Sequence, residues 1–236
     1  METLRSQASI LRELLIVIVG VAIALAAESW WSGRVDSRRE VDYVEALRVD
    51  FHENVDSLRS AISLHRDIQH ATSLLMSVSA GQAQRPPVDS LRALAWLGFS
   101  TAVFSPITTT YDNLVATGDL KLVSDGDLRR LLARFDAQLG KKELDWQWDQ
   151  WMMVVQPYVN QHMEALDWPP SSWSDDIALP DAPTRTDWTE VLEDREFRNV
   201  LFNRFIASGD ARTYYLEPLL ELAEQILARL DRNIEG

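Results

Sequence analysis

Apolar positions along this chain follow two regimes. From Leu14 to Ala27 they are continuous, LLIVIVGVAIALAA, with no charged residue on any face. Further on they become periodic. A stripe recurs at Val41, Val44, Leu47, Phe51, Val55, Leu58, Ile62, His65, Ile68, Thr72 and Leu75. Steps of three and four residues are the period of an amphipathic helix. Arg38, Glu45, Arg48, Glu53, Asp56 and Arg59 fill the opposite face. No Gly or Pro interrupts residues 34–80. The spacing therefore predicts one helix over 36–78, a stalk of roughly 65 Å. It would run straight on from the apolar segment, with Ser32-Gly33 the one place where a hinge could fall.

Punctuation divides the rest. Gly81 to Pro87 reads as a turn, followed by a short helix from Asp89 to Trp96. Ser105-Pro106 has the look of a cap followed by a first-turn proline, opening a helix that stops at Gly118. After a connector, Ser124 or Asp125 caps a long helix expected to pass Gly140 and reach Leu166, kinked near Pro157. Residues 167–186 hold four prolines and no periodicity, which predicts a loop. Asp187 and Glu190 suggest a capping box. A helical stretch from Asp194 to the end follows, bent near Gly209 or before Pro218. No stretch alternates over a strand length. The fold class expected is all-α: an N-terminal transmembrane helix, then a long helix and an antiparallel helical bundle. The domains are 1–33, tail and anchor, and 34–236, a helical domain interrupted by the 167–186 loop.

The apolar run alone covers about 21 Å, short of a hydrocarbon core of roughly 30 Å. Its flanks lengthen it. Ile10 and Leu11 extend it, and Arg12 can snorkel toward headgroups. Trp30 and Trp31 resemble an interfacial anchor. From Ile10 to Trp31 a helix covers about 33 Å, enough to cross. Arg12, Leu14, Ala27, Trp30 and Trp31 thus mark the expected anchor, with membrane lipid as partner of residues 10–31. Ala24-Leu25-Ala26 offers a rival reading as a signal-peptide cleavage site, but Glu13 abuts the apolar core and leaves a poor positive n-region. Basic residues on the two flanks slightly favour a cytoplasmic domain. A short inner tail with an exported domain is the commoner plan, so the expected location is a bacterial inner membrane, single-pass, with the domain on the periplasmic side.

Charge and composition narrow the partners. The chain carries 36 acidic and 23 basic residues, a net charge of −13. Residues 1–34 balance three Arg against three Glu, so the excess lies wholly on the helical domain. Such a domain repels phosphate backbones, and no nucleic-acid partner is expected. With no cysteine, neither a disulfide nor a thiolate site can form. The histidines, His52, His65, His70 and His162, show no metal-binding spacing. His65 falls on the apolar stripe, where a core histidine is the simpler reading. No phosphate loop and no nucleophile elbow occurs. Catalytic residues, cofactors and metals are expected to be none.

Aromatic residues carry the partner expectation. In DWQWDQWMMVV, Trp151 shares a face with Val154 and Tyr158, a core-like seam. Trp148 shares a face with Trp151 and Val155, and Trp146 lies on a different side from Trp148. Trp168 and Trp173 stand in the proline-rich loop, as aromatic anchors of interfaces often do. Trp146, Trp168 and Trp173 are therefore the expected contacts to other protein subunits.

The segment ELLIVIVGVAIALAAESWW, followed by charged helix, resembles an uncharacterised family of bacterial single-pass membrane proteins. TYDNLVATGDLKLVSDGDLRRLLARFD is similar to that family's middle motif, through Tyr111, Leu114, Gly118, Asp119, Leu120 and Leu128. The resemblance implies a membrane-anchored helical domain and transfers no activity, since the family's function is unknown. The expected function is a non-enzymatic accessory subunit of a membrane complex, of respiratory, light-harvesting, secretion or transport type. The alternatives are a stand-alone anchored sensor or ligand-binding protein, and an enzyme with an unrecognised site.

Overall fold

The computed structural model describes residues 2–102, 104–140, 151–164 and 185–235, with side chains at Leu15 and from Val17 to Arg232 within those ranges. Among the described residues the chain is helical, with no strand. Helix α1 spans Glu2–Ser79 without a break. As the spacing suggested, the helix runs straight on through Ser32-Gly33, where Ser37 donates its hydroxyl to the Gly33 carbonyl.

The expected stalk is instead the spine of the bundle. Of its stripe, Val44, Leu47, Phe51, Val55, Leu58, Ile62, His65, Ile68, Thr72 and Leu75 are all buried, and Val41 alone is exposed. The remaining helices are α2 (Val88–Phe99), α3 (Thr109–Thr117), α4 (Gly126–Leu139), α5 (Gln156–His162), α6 (Trp188–Glu193), α7 (Arg195–Asp210) and α8 (Glu217–Glu235); α2, α3, α6, α7 and α8 pack on this spine, α4 packs mainly on α8 and α5 on α7. One core joins α1 from Val44 to Ile62 with α4 and α8. A second joins Leu75 and Val78 with α2, α5, α6 and α7. Each fully buried Leu or Phe contributes roughly 1.5–3 kcal/mol against exposure.

Local chemistry fixes the connections. Gly118 ends α3 at φ 74°, a left-handed conformation that other residues reach only at a cost. Asp125, not Ser124, caps α4, accepting from the amides of Asp127 and Leu128. Asp187 caps α6 and Asp194 caps α7 in the same way. The helix expected directly after Pro106 starts later, at Thr109. Buried Asn54 explains the delay: it accepts from the Ile107 amide at 2.8 Å and donates to the Ile107 carbonyl at 2.9 Å. That residue is thereby held out of the helix.

One further expectation is corrected. Helix α4 ends at Leu139 instead of running past Gly140. The expected bend near Pro218 is a π-helical turn, Ala211–Leu216, between α7 and α8. Proline has no amide to donate to Tyr214, four residues back. The side-chain amide of Gln138 on α4 reaches that Tyr214 carbonyl, at 3.4 Å.

Candidate functional site

Three places in the molecule depart from an ordinary helical core. The first is the amino-terminal part of α1. Every described residue from Leu15 to Val35 is exposed, so nothing in the bundle covers this apolar segment. Leu15, Val17, Ile18, Val21, Ile23 and Leu25 are each more than half exposed, and they face all sides of the helix. Ala27 is exposed there too. Trp30 and Trp31 follow at 62% and 67% exposure, and the Arg34 guanidinium lies 5.0 Å above the Trp30 ring. Among the described residues no helix is long and apolar enough to cross a membrane. The spanning helix expected over 10–31 is thus not supplied by those residues alone. The side chains of Arg12, Leu14 and Ile16 lie outside them.

A buried polar layer between the two cores is the second. Ser208 donates its hydroxyl to the His65 carbonyl at 3.2 Å, and His65 Nδ1 shares a hydrogen bond of 2.7 Å with Ser208 Oγ. His65 Nε2 is buried with no hydrogen-bond partner among the described residues. Burial, then the charge of Arg204, lowers the His65 pKa to about 4. The imidazole is therefore neutral near pH 7. Arg204 is itself 2% exposed. Its guanidinium donates to the carbonyls of Gly98 and Ser100, at the carboxy-terminal end of α2 where the helix dipole is negative. Burial lowers its pKa to about 10, which leaves it charged. Gly98 lets α2 come this close, because a Cβ there would lie 3.1 Å from Thr72 Cγ2. The layer is compact and buried, and it leaves His65 Nε2 and Arg204 Nη1 without a hydrogen-bond partner among the described residues.

The third place lies where α5 meets the start of α7. A π-helical turn, Trp151–Val155, leads into α5. Trp151 donates its indole N–H to the Phe99 carbonyl at 2.8 Å, and Val155 and Tyr158 are buried, which places this aromatic face in the core. The Tyr158 ring stacks on His162 at 4.5 Å and on Phe197 at 5.8 Å. Its hydroxyl donates to Asp194 Oδ2 at 2.8 Å. Burial, reinforced by that carboxylate, raises the Tyr158 pKa and keeps the phenol protonated. Burial pushes the Asp194 carboxyl up, but the Glu196 amide, the Tyr158 hydroxyl and nearby His162 outweigh it and hold the pKa below the ordinary value. Asp194 is ionised at neutral pH. His162, Asp194 and Glu196 bring ligand atoms within 4.8 Å of one another. Beside them opens a groove of about 410 Å³, lined by Tyr158, Gln161, Arg195, Glu196, Asn199 and Asn203 among others.

Trp146, Trp168 and Trp173, with the 167–186 loop up to Thr184, lie outside the described residues. What the sequence missed is the third place. His162 and Asp194 stand 32 positions apart, on either side of that loop, and local spacing cannot report such a pair. Comparison with family models, curated proteins and solved structures found no match to this chain.

Proposed function

We infer that this chain is a membrane-anchored helical domain acting through protein contacts, as a non-enzymatic accessory subunit of a larger membrane complex. The observation that carries this reading is the apolar part of α1, exposed on every face and continuous with the spine of the bundle. A bare apolar helix of this kind is unfavourable in water and favourable in hydrocarbon. The described stretch is too short to cross by itself. Extended by Ile10, Leu11, Leu14 and Ile16 on one side and the tryptophans on the other, it reaches about 33 Å. Trp30 under Arg34 suits a headgroup boundary, and the family resemblance of residues 13–31 points the same way. Trp146, Trp168 and Trp173 are the proposed subunit contacts. We propose the periplasmic side of a bacterial inner membrane for the domain.

Placing arginine at both Val21 and Ile23 tests the anchor. Each substitution costs roughly 3 kcal/mol at the centre of a span. The wild-type chain should stay with membranes through alkaline carbonate extraction, and the double variant should be released. Release of the wild type would overturn the anchor. Solubilisation in mild detergent tests the second half: the protein should co-migrate with other subunits, whereas migration alone would favour an anchored stand-alone sensor.

A further inference from the structure

We propose that His162, Asp194 and Glu196 form a site for one divalent transition-metal ion of the zinc class. The site joins the end of α5 to the start of α7, and it is independent of the membrane reading.

The donor set comes first. One imidazole nitrogen and two carboxylates stand within 4.8 Å of one another, close enough to converge on one ion by side-chain rotation. Imidazole suits zinc and its neighbours, and two carboxylates balance a divalent charge. Magnesium and calcium prefer oxygen ligands throughout, so the histidine selects against them.

The state of each ligand comes second. His162 Nε2 is shielded from solvent and has no hydrogen-bond partner among the described residues. A shielded imidazole nitrogen without a partner carries a desolvation cost that a ligand bond would relieve. Asp194 is already oriented. Its Oδ1 accepts from the Glu196 amide at 2.8 Å, and its Oδ2 from the Tyr158 hydroxyl at 2.8 Å. Each oxygen keeps a second lone pair, so the carboxylate can bind a metal without giving up either bond. Tyr158 acts as a positioning residue through both contacts, stacking on one ligand and hydrogen-bonding the other. Such outer contacts are what hold metal ligands in place. Glu196 is exposed, in the first turn of α7, and lines the groove. With three protein ligands, water would complete the coordination.

Zinc titration of the full-length protein in detergent, against a chromophoric chelator, tests the site. One zinc per chain is expected, undisturbed by millimolar calcium or magnesium. His162→Gln and Glu196→Gln should each weaken zinc binding at least tenfold. Tyr158→Phe should weaken it roughly tenfold at unchanged stoichiometry, as loss of an outer contact does. X-ray absorption should show a single imidazole among light ligands. Failure to bind one equivalent would overturn the proposal. Equal binding by wild type and Glu196→Gln would reduce the finding to an adventitious ion only. Glu196 is exposed, so that variant decides the matter even if His162→Gln fails to fold.

Discussion

Arg229, near the end of α8, closes a two-pronged ion pair on Asp125, the cap of α4. Nε lies 2.6 Å from Oδ2 and Nη2 lies 3.2 Å from Oδ1. Nη2 also reaches Asp127 Oδ2 at 2.5 Å. One carboxylate thus closes the start of a helix and ties it to a helix about a hundred residues further along. The Arg229 hydrogen bonds hold its pKa well below the usual carboxylate range, against a smaller opposing effect of burial.

Asp125→Ala should destabilise the protein by about 1 kcal/mol through loss of the cap alone. The sign with pH follows from the depressed folded-state pKa. The ionised contribution is full above the unfolded value of 3.8 and is lost as pH falls toward the folded value. Urea melts of the wild type and variant should differ by a constant amount from pH 7 to about 4 and converge below that. A difference that persists undiminished at pH 2 would mean ionisation plays no part.

His65 should dominate at milder acidity. Its pKa falls from 6.5 to about 4 on folding, so the unfolded chain takes up the proton first. Stability is full above about pH 6.5 and declines as pH drops toward 4, by up to about 3 kcal/mol. In His65→Asn this part of the pH dependence should vanish, whatever the variant's stability at pH 7. An unchanged slope between pH 6.5 and 4 would assign the loss to other groups.

The stripe on α1 separates buried from exposed positions sharply. Leu58 has no exposed surface, and Val41 is 62% exposed. Leu58→Ala should cost about 2–5 kcal/mol. Val41→Ala should stay within about 0.5 kcal/mol. Equal effects in thermal or chemical melts would show that the buried register has been misassigned.

A double change, Trp168→Ala with Trp173→Ala, bears on the proposed subunit contacts. A tryptophan anchor lost from an interface costs about 2 kcal/mol or more of binding, at least roughly thirtyfold in affinity. Co-purification with other subunits should fail while the melting temperature holds. A lower melting temperature would instead place these rings in the protein's own core.

Much of the fold was legible because helical structure is written locally. The register of α1 followed from step length, and the ends of α3, α4 and α6 from Gly118, Asp125 and Asp187. What escaped depends on distant partners. Asn54 delays α3 from 53 residues away. The stalk became a spine because its apolar face is covered by α2, α7 and α8, and periodicity shows a face without its cover. The His162 cluster was invisible for the same reason, since its members meet only once α5 and α7 are side by side.

Helix α1 also acts as a lever. The residues that project from the bundle and those that organise its cores belong to one unbroken rod, with no hinge at Ser32-Gly33. From Gly33 to Ser79 that rod measures about 70 Å. With the first segment in a bilayer, as proposed, a tilt of about 20° would swing the far end sideways by roughly 24 Å. On that reading the lean of the first thirty residues would set where α2, α5 and α7 are presented. A neighbour that grips either end of the rod steers the other.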